Sequence, residues 1–401
     1  MLMKAQREQN DRSRRKKLIL VIAEDWYFWS HRLPLARAAQ KNGFDVVIAT
    51  RVHKHAERIR SEGFKLVPLH LSRESYSPWK ELKTIIQLRR LYREERPDIV
   101  HHVALKPILY GSIAALGRKH IHVINALAGM GYLVVSSSLK AALLRFPIWS
   151  AFRFLLNQSN THVLLQNADD REVVISKLKV SADKTVLIRG AGVDCESFCP
   201  STPLSVIPLV VLPSRMLWNK GVAEFVEAAK LLRQQGLKVR FVLVGDVDPA
   251  SPSGMPRETL TAWNDAGFVE WWGPHQGMAS VYKAAALVCL PSHGGEGVPK
   301  VLLEAAACGK AIVTSDVPGC RDIVRKDVNG LLVPAKNVPE LANAIRYLLE
   351  NDEVRRRMGT AGREIALAEF SQEIVIETTL ALYSSVIGSQ FQHTAVEQCV
   401  G

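Results

Sequence analysis

Short apolar runs alternate with amphipathic stretches along most of the chain. The runs are rich in Val, Ile and Leu, which is typical of strands buried inside a parallel sheet. They occupy residues 18–23, 44–50, 64–69, 99–103, 121–127, 162–166 and 185–189, and then 209–212, 239–244, 268–272, 287–290 and 311–314. Between them, apolar residues recur at steps of three and four, the period of a helix. This alternation predicts an α/β protein with doubly wound parallel sheets.

Two of the helical stretches indicate which of their side chains face the core or another apolar surface. In residues 79–95 steps of three and four predict that Leu82, Ile85, Leu88 and either Leu91 or Tyr92 face the core. Residues 139–156 are apolar with three basic side chains, and Pro147 would kink a helix there. That composition fits either a core helix with basic edges or a helix lying at a membrane interface.

The alternation stops once, within the loop-like segment GVDCESFCPSTPLSVI at residues 192–207. Prolines and serines of this kind mark a linker rather than a strand or a helix. We therefore predict a basic N-terminal tail at residues 1–17, a first domain at 18–195, a linker at 196–207 and a second domain at 208–370. A last helical stretch follows at residues 371–388.

Composition narrows the possible partners. The chain is 47% hydrophobic and 23% charged, which is ordinary for a globular protein. Residues 1–200 carry 33 Lys and Arg against 18 Asp and Glu, whereas the remainder carries 19 against 21. The first half should therefore meet something anionic, and without a nucleic-acid-binding motif an anionic membrane surface or phospholipid is the better interpretation. No apolar run has the length of a membrane span or of a signal-peptide core, and the cysteine pattern fits a reducing cytoplasm.

The segment LVCLPSHGGEGVPKVLLEAAACGKAIVTSDVPG at residues 287–319 combines a strand, a glycine loop and a helix. Pro299 and Gly309 are start and stop signals for that helix. The loop places backbone N–H groups and a helix N-terminus at the carboxyl end of a strand, where anionic groups bind. Glu296 and Glu304 lie there with seven residues between them. Carboxylates only accept hydrogen bonds, so they suit sugar and ribose hydroxyls rather than phosphate.

Two cations follow the predicted strand at residues 209–212. Arg215 and Lys220, in SRMLWNKGVAEF, suit the diphosphate of a nucleotide sugar and the charge that grows on it as it leaves. Asp246 and Asp248 form a D-x-D, a metal-binding pattern in other folds, but ahead of Pro249 they more readily begin a turn. We expect no metal and no cofactor beyond the substrate.

These motifs resemble the family 4 glycosyltransferases, whose E-x7-E signature and RxxxxKG diphosphate-binding pair match EGVPKVLLEAAACG and the Arg215–Lys220 segment. The resemblance implies the GT-B fold, in which two Rossmann-like domains face a cleft, and it implies retention of anomeric configuration. It also implies that the helix at residues 371–388 packs back on the first domain. The donor-site residues that it implies are Arg215, Lys220, Gly245, Trp272, Gly295, Glu296, Gly297, Val298, Lys300 and Glu304.

The first domain lacks the family's glycine-rich first loop and reads EDWYFWSHRLP instead. Its H-x-x-P element resembles a subgroup, the bacterial enzymes that extend undecaprenyl-diphosphate-linked sugars. By that resemblance, the acceptor side consists of His31, Arg32, Lys106, Gly129 and Gly131. We place His102 in the catalytic set with Arg215, Lys220 and Glu296, and satisfaction within the core is the alternative for His101 and His102.

The sequence thus predicts a retaining, metal-independent, hexosyltransferase-type enzyme of cell-surface polysaccharide or glycan biosynthesis. It would move a hexose or N-acetylhexosamine from a nucleotide sugar, expected to be UDP-linked, to a lipid-diphosphate-linked saccharide. We expect a cytoplasmic protein, peripheral on the inner face of the plasma membrane, that binds no nucleic acid. Three alternatives remain: a soluble family 4 transferase acting on a free sugar or sugar phosphate, a nucleotide-binding scaffold of the same fold, and an NAD-dependent oxidoreductase. The last lacks G-x-G-x-x-G after the first strand.

Overall fold

Seven parallel strands form the sheet of the first domain. The computed structural model describes residues 15–71, 78–129, 139–201 and 207–388. Strand order in this sheet is β3-β2-β1-β4-β5-β6-β7. The strands are β1 (Lys17–Glu24), β2 (Asp45–Arg51), β3 (Lys65–Pro68), β4 (Ile99–Val103), β5 (His122–Leu127), β6 (Thr161–Leu165) and β7 (Thr185–Leu187). Strand order reverses beside β1, which is where open α/β sheets bind ligands.

The second domain repeats this architecture with six parallel strands in the order β10-β9-β8-β11-β12-β13. They are β8 (Leu209–Pro213), β9 (Arg240–Val244), β10 (Glu270–Trp271), β11 (Leu287–Leu290), β12 (Ala311–Ser315) and β13 (Gly330–Val333). The two sheets confirm the predicted fold class of two Rossmann-like domains.

Helices connect the strands. In the first domain, a helical turn at Asp25–Tyr27 and a π-helix at Phe28–Arg32 precede α1 (Leu33–Lys41), α2 (Ala56–Ser61), α3 (Pro78–Glu95), α4 (Leu105–Ala115), α5 (Leu139–Leu156) and α6 (Ala168–Leu178). Those that follow are α7 (Val222–Gln234), α8 (Arg257–Asp265), α9 (Met278–Ala284), α10 (Lys300–Ala307), α11 (Cys320–Ile323), α12 (Val338–Glu350), α13 (Asp352–Glu369) and α14 (Gln372–Ile387). None of the helices in the described ranges is long and apolar enough to cross a membrane.

Each sheet has an apolar core on both faces. Along β1, Leu18 and Leu20 belong to one core and Ile19 and Val21 to the other. Successive side chains of a strand point to opposite faces, so a continuous apolar run fills both layers. This explains why β1 reads as an almost unbroken run of Leu, Ile and Val.

Helix α14 returns from the end of the second domain to the first. Its residues Val375, Leu382 and Tyr383 lie in the same core as β1 and α1. At the crossing, the N–H of Gln372 donates to the carbonyl of Val193 over 2.9 Å. The chain therefore crosses between the domains twice, at adjacent positions.

Two local predictions need correction. Strand β1 begins at Lys17, the last residue of the predicted tail, where Lys17 is in register with Asp45 of β2. Its Nζ also pairs with Asp45 over 3.1 Å and with Glu95 over 2.7 Å. Residues 1–14 of that tail lie outside the described ranges. In α3, Leu88 and Leu91 are buried as expected, but Leu82 is 45% exposed.

Candidate active site

A cavity of about 400 Å³ lies between the two domains, where strands of both sheets end. Parallel strands end at one edge of a sheet, so the loops that follow them converge there. The first domain contributes Trp26, Tyr27, Ser30, His31, Ala128, Gln166 and Ala191. The second contributes Ser214, Arg215, Lys220, Glu296, Gly297, Val298, Pro299, Lys300, Val301 and Glu304.

An ion pair forms part of the cavity wall. Lys220 lies after β8 and Glu296 lies after β11, and these two strands are neighbours in the sheet. Lys220 Nζ pairs with Glu296 Oε1, which also accepts a hydrogen bond from Ser292 Oγ over 3.1 Å. Gly221 lets the chain pass close by, because a Cβ there would lie 2.0 Å from the carbonyl oxygen of Pro291. Lys220 keeps further N–H donors for a ligand phosphate.

The second cation, Arg215, is oriented by an acidic residue. Its Nη1 donates to Asp248 Oδ2 over 2.6 Å, while Asp246 pairs with Arg257 over 2.7 Å. The two aspartates of the D-x-D thus bind arginines. Within the described ranges, no group of three or more His, Cys, Asp or Glu is placed to hold a metal ion.

Glu304 lies on α10 and is only 8% exposed. Tyr282 donates its hydroxyl to Glu304 Oε2 over 2.9 Å, and Lys300 Nζ lies 3.8 Å from Oε1. Burial raises the pKa of the Glu304 carboxyl, and the charge of Lys300 and the Tyr282 hydrogen bond only partly oppose this. A ligand that donates hydroxyl groups would offset the cost of this buried charge.

The two domains touch through glycine backbone. A Cβ on Gly129 would lie 2.6 Å from the carbonyl oxygen of Gly295 and 2.7 Å from the nitrogen of Gly297. Gln166 Oε1 accepts the N–H of Val298 over 3.1 Å, and a Cβ on Gly297 would lie 2.0 Å from that oxygen. Only glycine permits so close an approach of the first domain to the loop before α10.

His31 also reaches the cavity. Its ring stacks on Tyr27, with centroids 4.3 Å apart and planes 8° from parallel. Lys300 Nζ donates to the backbone oxygen of Ser30, so α10 of the second domain touches this segment directly. Burial, together with the positive charges of Lys300 and Arg32, lowers the pKa of His31 to about 3. At neutral pH His31 is therefore an uncharged hydrogen-bonding group.

The structure buries His102 in the core, the alternative that the sequence left open, and not on the wall of the cavity. The ring is fully buried, with Nε2 2.8 Å from the Tyr92 hydroxyl and Nδ1 2.8 Å from Asn125 Oδ1. Burial lowers its pKa to about 4. His101 is buried as well, with Nδ1 2.6 Å from the Tyr383 hydroxyl. Both rings belong to the core because β4 lies inside the sheet and is covered on both faces.

Two acceptor-side predictions also change. Arg32 is only 3% exposed and is absent from the cavity lining, so its side chain does not form a surface of the cleft. Its Nε and Nη2 atoms have no hydrogen-bond partner among the residues that the structure describes. Lys106 Nζ pairs with Glu81 Oε1 over 3.0 Å. This carboxylate neutralises the positive charge that was expected to bind a phosphate of the acceptor. Gly131 lies outside the described residues.

Three predicted donor residues do not line the cavity. Gly245 has a φ of 143° and packs against the backbone of Ser214, which does line the cavity. A Cβ on Gly245 would lie 1.8 Å from the carbonyl oxygen of Ser214. Trp272 is 37% exposed and donates from Nε1 to Glu270 over 3.1 Å. Gly295 faces Gly129 instead.

Sequence reasoning missed Gln166 and Tyr282. Gln166 follows a buried strand at the ligand-binding edge, and a polar residue at that position is a usable signal. Tyr282 lies on the short helix α9, and nothing in its neighbourhood along the chain indicates that it hydrogen-bonds Glu304.

Two family models match the chain. The model for glycosyl transferase 4-like domains matches residues 17–167, and the model for glycosyl transferases group 1 matches residues 207–351. Together they cover the first sheet as far as β6 and the second sheet from β8 to β13.

Among curated proteins, the chain is similar to N,N'-diacetylbacillosaminyl-diphospho-undecaprenol alpha-1,3-N-acetylgalactosaminyltransferase of Campylobacter jejuni. The two are 27% identical over 369 residues, which is 89% of this chain and 95% of the relative. The putative glycosyltransferase EpsD of Bacillus subtilis is 24% identical over 95% of this chain and 100% of its own length.

Solved structures show the same fold. A glycosyltransferase from Rickettsia africae superposes with a TM-score of 0.75 at 17% identity, covering 94% of this chain and 100% of that chain. HepE of Anabaena, in complex with UDP, has a TM-score of 0.74 at 18% identity, covering 92% of this chain and 100% of that one.

Proposed function

Because the chain belongs to the glycosyltransferases, with a family 4-like first domain and a group 1 second domain, we propose that it transfers a hexose or N-acetylhexosamine from a nucleotide sugar to a lipid-diphosphate-linked saccharide. One observation carries the proposal: Arg215, Lys220, Glu296 and Glu304 surround a single interdomain cavity. The Campylobacter relative, whose name specifies a diphospho-undecaprenol acceptor, supports the acceptor class. UDP bound to HepE supports a UDP-linked donor.

In this proposal the second domain holds the donor. The acceptor oxygen forms a bond to the anomeric carbon, and the bond from that carbon to the diphosphate breaks. The electron pair stays on the diphosphate, which takes the hydroxyl proton. Arg215 and Lys220 stabilise the charge that develops on the leaving group, so no metal is required. Glu296 accepts hydrogen bonds from hydroxyls of the transferred sugar, and Glu304 accepts them from the ribose. The anomeric configuration is retained.

An acceptor of this class is held in the membrane, so we propose that the enzyme contacts the inner membrane surface, and that helix α3 makes the contact. Trp79, Leu82 and Ile86 are 76%, 45% and 52% exposed. They recur at steps of three and four, and Lys83 and Arg90 are exposed on the same side of the helix. Apolar side chains flanked by cations are typical of helices that lie in an anionic membrane interface.

The transfer reaction is tested by incubating the protein with a panel of UDP- and GDP-linked sugars and a bacterial membrane lipid extract. We expect one donor to label a lipid-diphosphate product, with the donor's anomeric configuration by NMR and equal yield in EDTA. Labelling of free sugars alone would support the soluble transferase instead. Nucleotide binding without any transfer would support the scaffold alternative.

The membrane contact is tested with vesicles of anionic and of neutral lipid. Binding to anionic vesicles should weaken as salt screens the charges. It should also weaken in the variant with Lys83→Glu and Arg90→Glu, but not in Lys238→Glu, an exposed lysine of the second domain. Equal binding of all three proteins would exclude α3 as the contact.

A further inference from the structure

His293 lies in the loop between β11 and Glu296, but it does not line the interdomain cavity. Its ring reaches out of the loop to the first turn of α7, where Nε2 lies 2.9 Å from Glu224 Oε1. Both side chains are largely buried, with 18% and 17% of their surface exposed. A carboxylate only accepts hydrogen bonds, so Nε2 carries the proton of this bond. Among the described residues, no other side chain is hydrogen-bonded to Glu224.

The loop between His293 and Glu296 has little stiffness of its own. Gly294 and Gly295 follow His293 with φ of 109° and 80°, a region that glycine enters at no steric cost. Glycine has no side chain, so His293 carries the only side chain between Ser292 and Glu296. The hydrogen bond to helix α7 is therefore the one side-chain bond by which this stretch can be fixed.

The turn that carries Lys220 is held from another side. The N–H of Asn219 donates to Ser253 Oγ over 3.2 Å, a contact with the loop after β9. The carbonyl of Asn219 accepts the N–H of His293 over 2.9 Å, which brings the glycine loop beside this turn. Lys220 thus has a position that does not require the His293 ring. The part that the ring orients is the loop that ends at Glu296.

We propose that His293 and Glu224 are positioning residues for the transfer reaction. Their hydrogen bond holds the glycine loop so that Glu296 stays against Lys220 and faces the transferred sugar. The inference rests on the proposed function, in which Glu296 accepts hydrogen bonds from that sugar. A displacement of about 1 Å in a group that orients a substrate can slow a reaction about a hundredfold. The ribose is held by Glu304 on α10, outside this loop, so nucleotide binding does not require the bond.

The experiment measures kcat and KM with UDP-linked hexoses and N-acetylhexosamines and a short-chain polyprenyl-diphosphate N-acetylhexosamine, UDP affinity by calorimetry, and Tm. His293→Ala and Glu224→Ala should each lower kcat about ten- to a hundredfold, with UDP affinity within about twofold of the parent value. The double variant should be no slower than the slower single variant, because both changes remove the same bond. His293→Gln and Glu224→Gln keep a donor and an acceptor at these positions, so each should retain most of the parent kcat.

Asn329→Ala is the control for a loss of stability alone. Asn329 is 0% exposed, and it donates to the carbonyl of Ile323 and accepts the N–H of Arg325, away from the cavity lining. The control should lower the Tm and leave kcat and UDP affinity unchanged.

Glu224→Ala removes the bond from the side of the helix and decides the matter if His293→Ala fails to fold. A parent-like kcat in the alanine variants, or a kcat in the glutamine variants as low as in the alanine variants, would overturn the positioning role and leave the transferase function intact. A parent that transfers no sugar from any donor to a lipid-linked acceptor would overturn the proposed function and this inference with it.

Discussion

Glu304→Gln should separate nucleotide binding from stability. In the parent, Oε2 accepts the Tyr282 hydroxyl over 2.9 Å, and the carboxylate lies on the cavity wall. Glutamine keeps the shape and an acceptor for Tyr282 but loses the charge. A hydrogen bond to a charged group contributes about 1.5–3 kcal/mol, so UDP affinity should fall roughly ten- to a hundredfold.

Stability should respond in the opposite sense. Burial raises the pKa of Glu304, so the folded protein holds a proton that the unfolded chain has already released. Stability therefore falls as pH rises from the ordinary value of 4.5 through the raised folded value. Glutamine cannot ionise and avoids this loss, so the Tm of Glu304→Gln at pH 8 should equal or exceed that of the parent.

Calorimetry with UDP and thermal unfolding between pH 4 and pH 8 measure both quantities. Glu340→Gln, on the first turn of α12, is the matched control and should change neither. Tyr282→Phe should also weaken UDP binding, and the double variant should lose less than the sum of the single losses because the groups share one hydrogen bond. A variant Glu304→Gln that binds UDP like the parent, or that unfolds well below it, would refute this reasoning.

Three further predictions concern other parts of the site. Lys220→Ala should weaken UDP binding at least about tenfold and slow transfer. Lys230→Ala removes the pair with Glu227 and the contact with the Phe268 ring, away from the cavity, and should leave both unchanged; equal effects of the two variants would contradict the role of Lys220. Gly129→Ala should lower kcat with UDP affinity retained, because its Cβ would collide with the second domain, while Gly43→Ala, also at positive φ but with nothing within 4 Å, should affect only the Tm. His102 has a pKa lowered to about 4 by burial, so the parent should lose stability as pH falls from 6.5 toward about 4, and His102→Gln should show a flatter Tm profile over that window; parallel profiles would contradict this.

The fold class could be predicted from the sequence because both faces of each sheet are covered. Strands such as β8 and β11 are buried at every position, so they read as continuous apolar runs that no amphipathic helix produces. The order of the strands and the exposed side of a helix could not be predicted as well from the sequence. Leu82 has the spacing of a core residue, yet its position faces outward, because periodicity defines a stripe without fixing which neighbour covers it.

Site chemistry was predictable where the motif is local. Glu296, Lys300 and Glu304 lie in one segment, and the fold brings Arg215 and Lys220 to the same cavity through the neighbouring strand β8. The resemblance to a family did not indicate which side chains are buried in the core. The pairing of His102 with Tyr92 and Asn125 depends on packing between distant segments. The hydrogen bonds that Asp25 accepts from the backbone N–H groups of His53 and His55 likewise join segments that are distant along the chain.

The chain crosses between the domains at Val193 and again at Ser371, and this affects how domains can be exchanged between related proteins by recombination. A recombinant that joins the first domain of one relative to the second domain of another at the linker would inherit α14 from the wrong parent. Leu382 and Tyr383 would then pack against the core of a first domain that came from a different protein. The hydrogen bond between Tyr383 and His101 would form only if that domain had a matching residue. Exchange of the first domain between relatives therefore requires two separated pieces of sequence, the residues up to the linker and the terminal helix, to be transferred together.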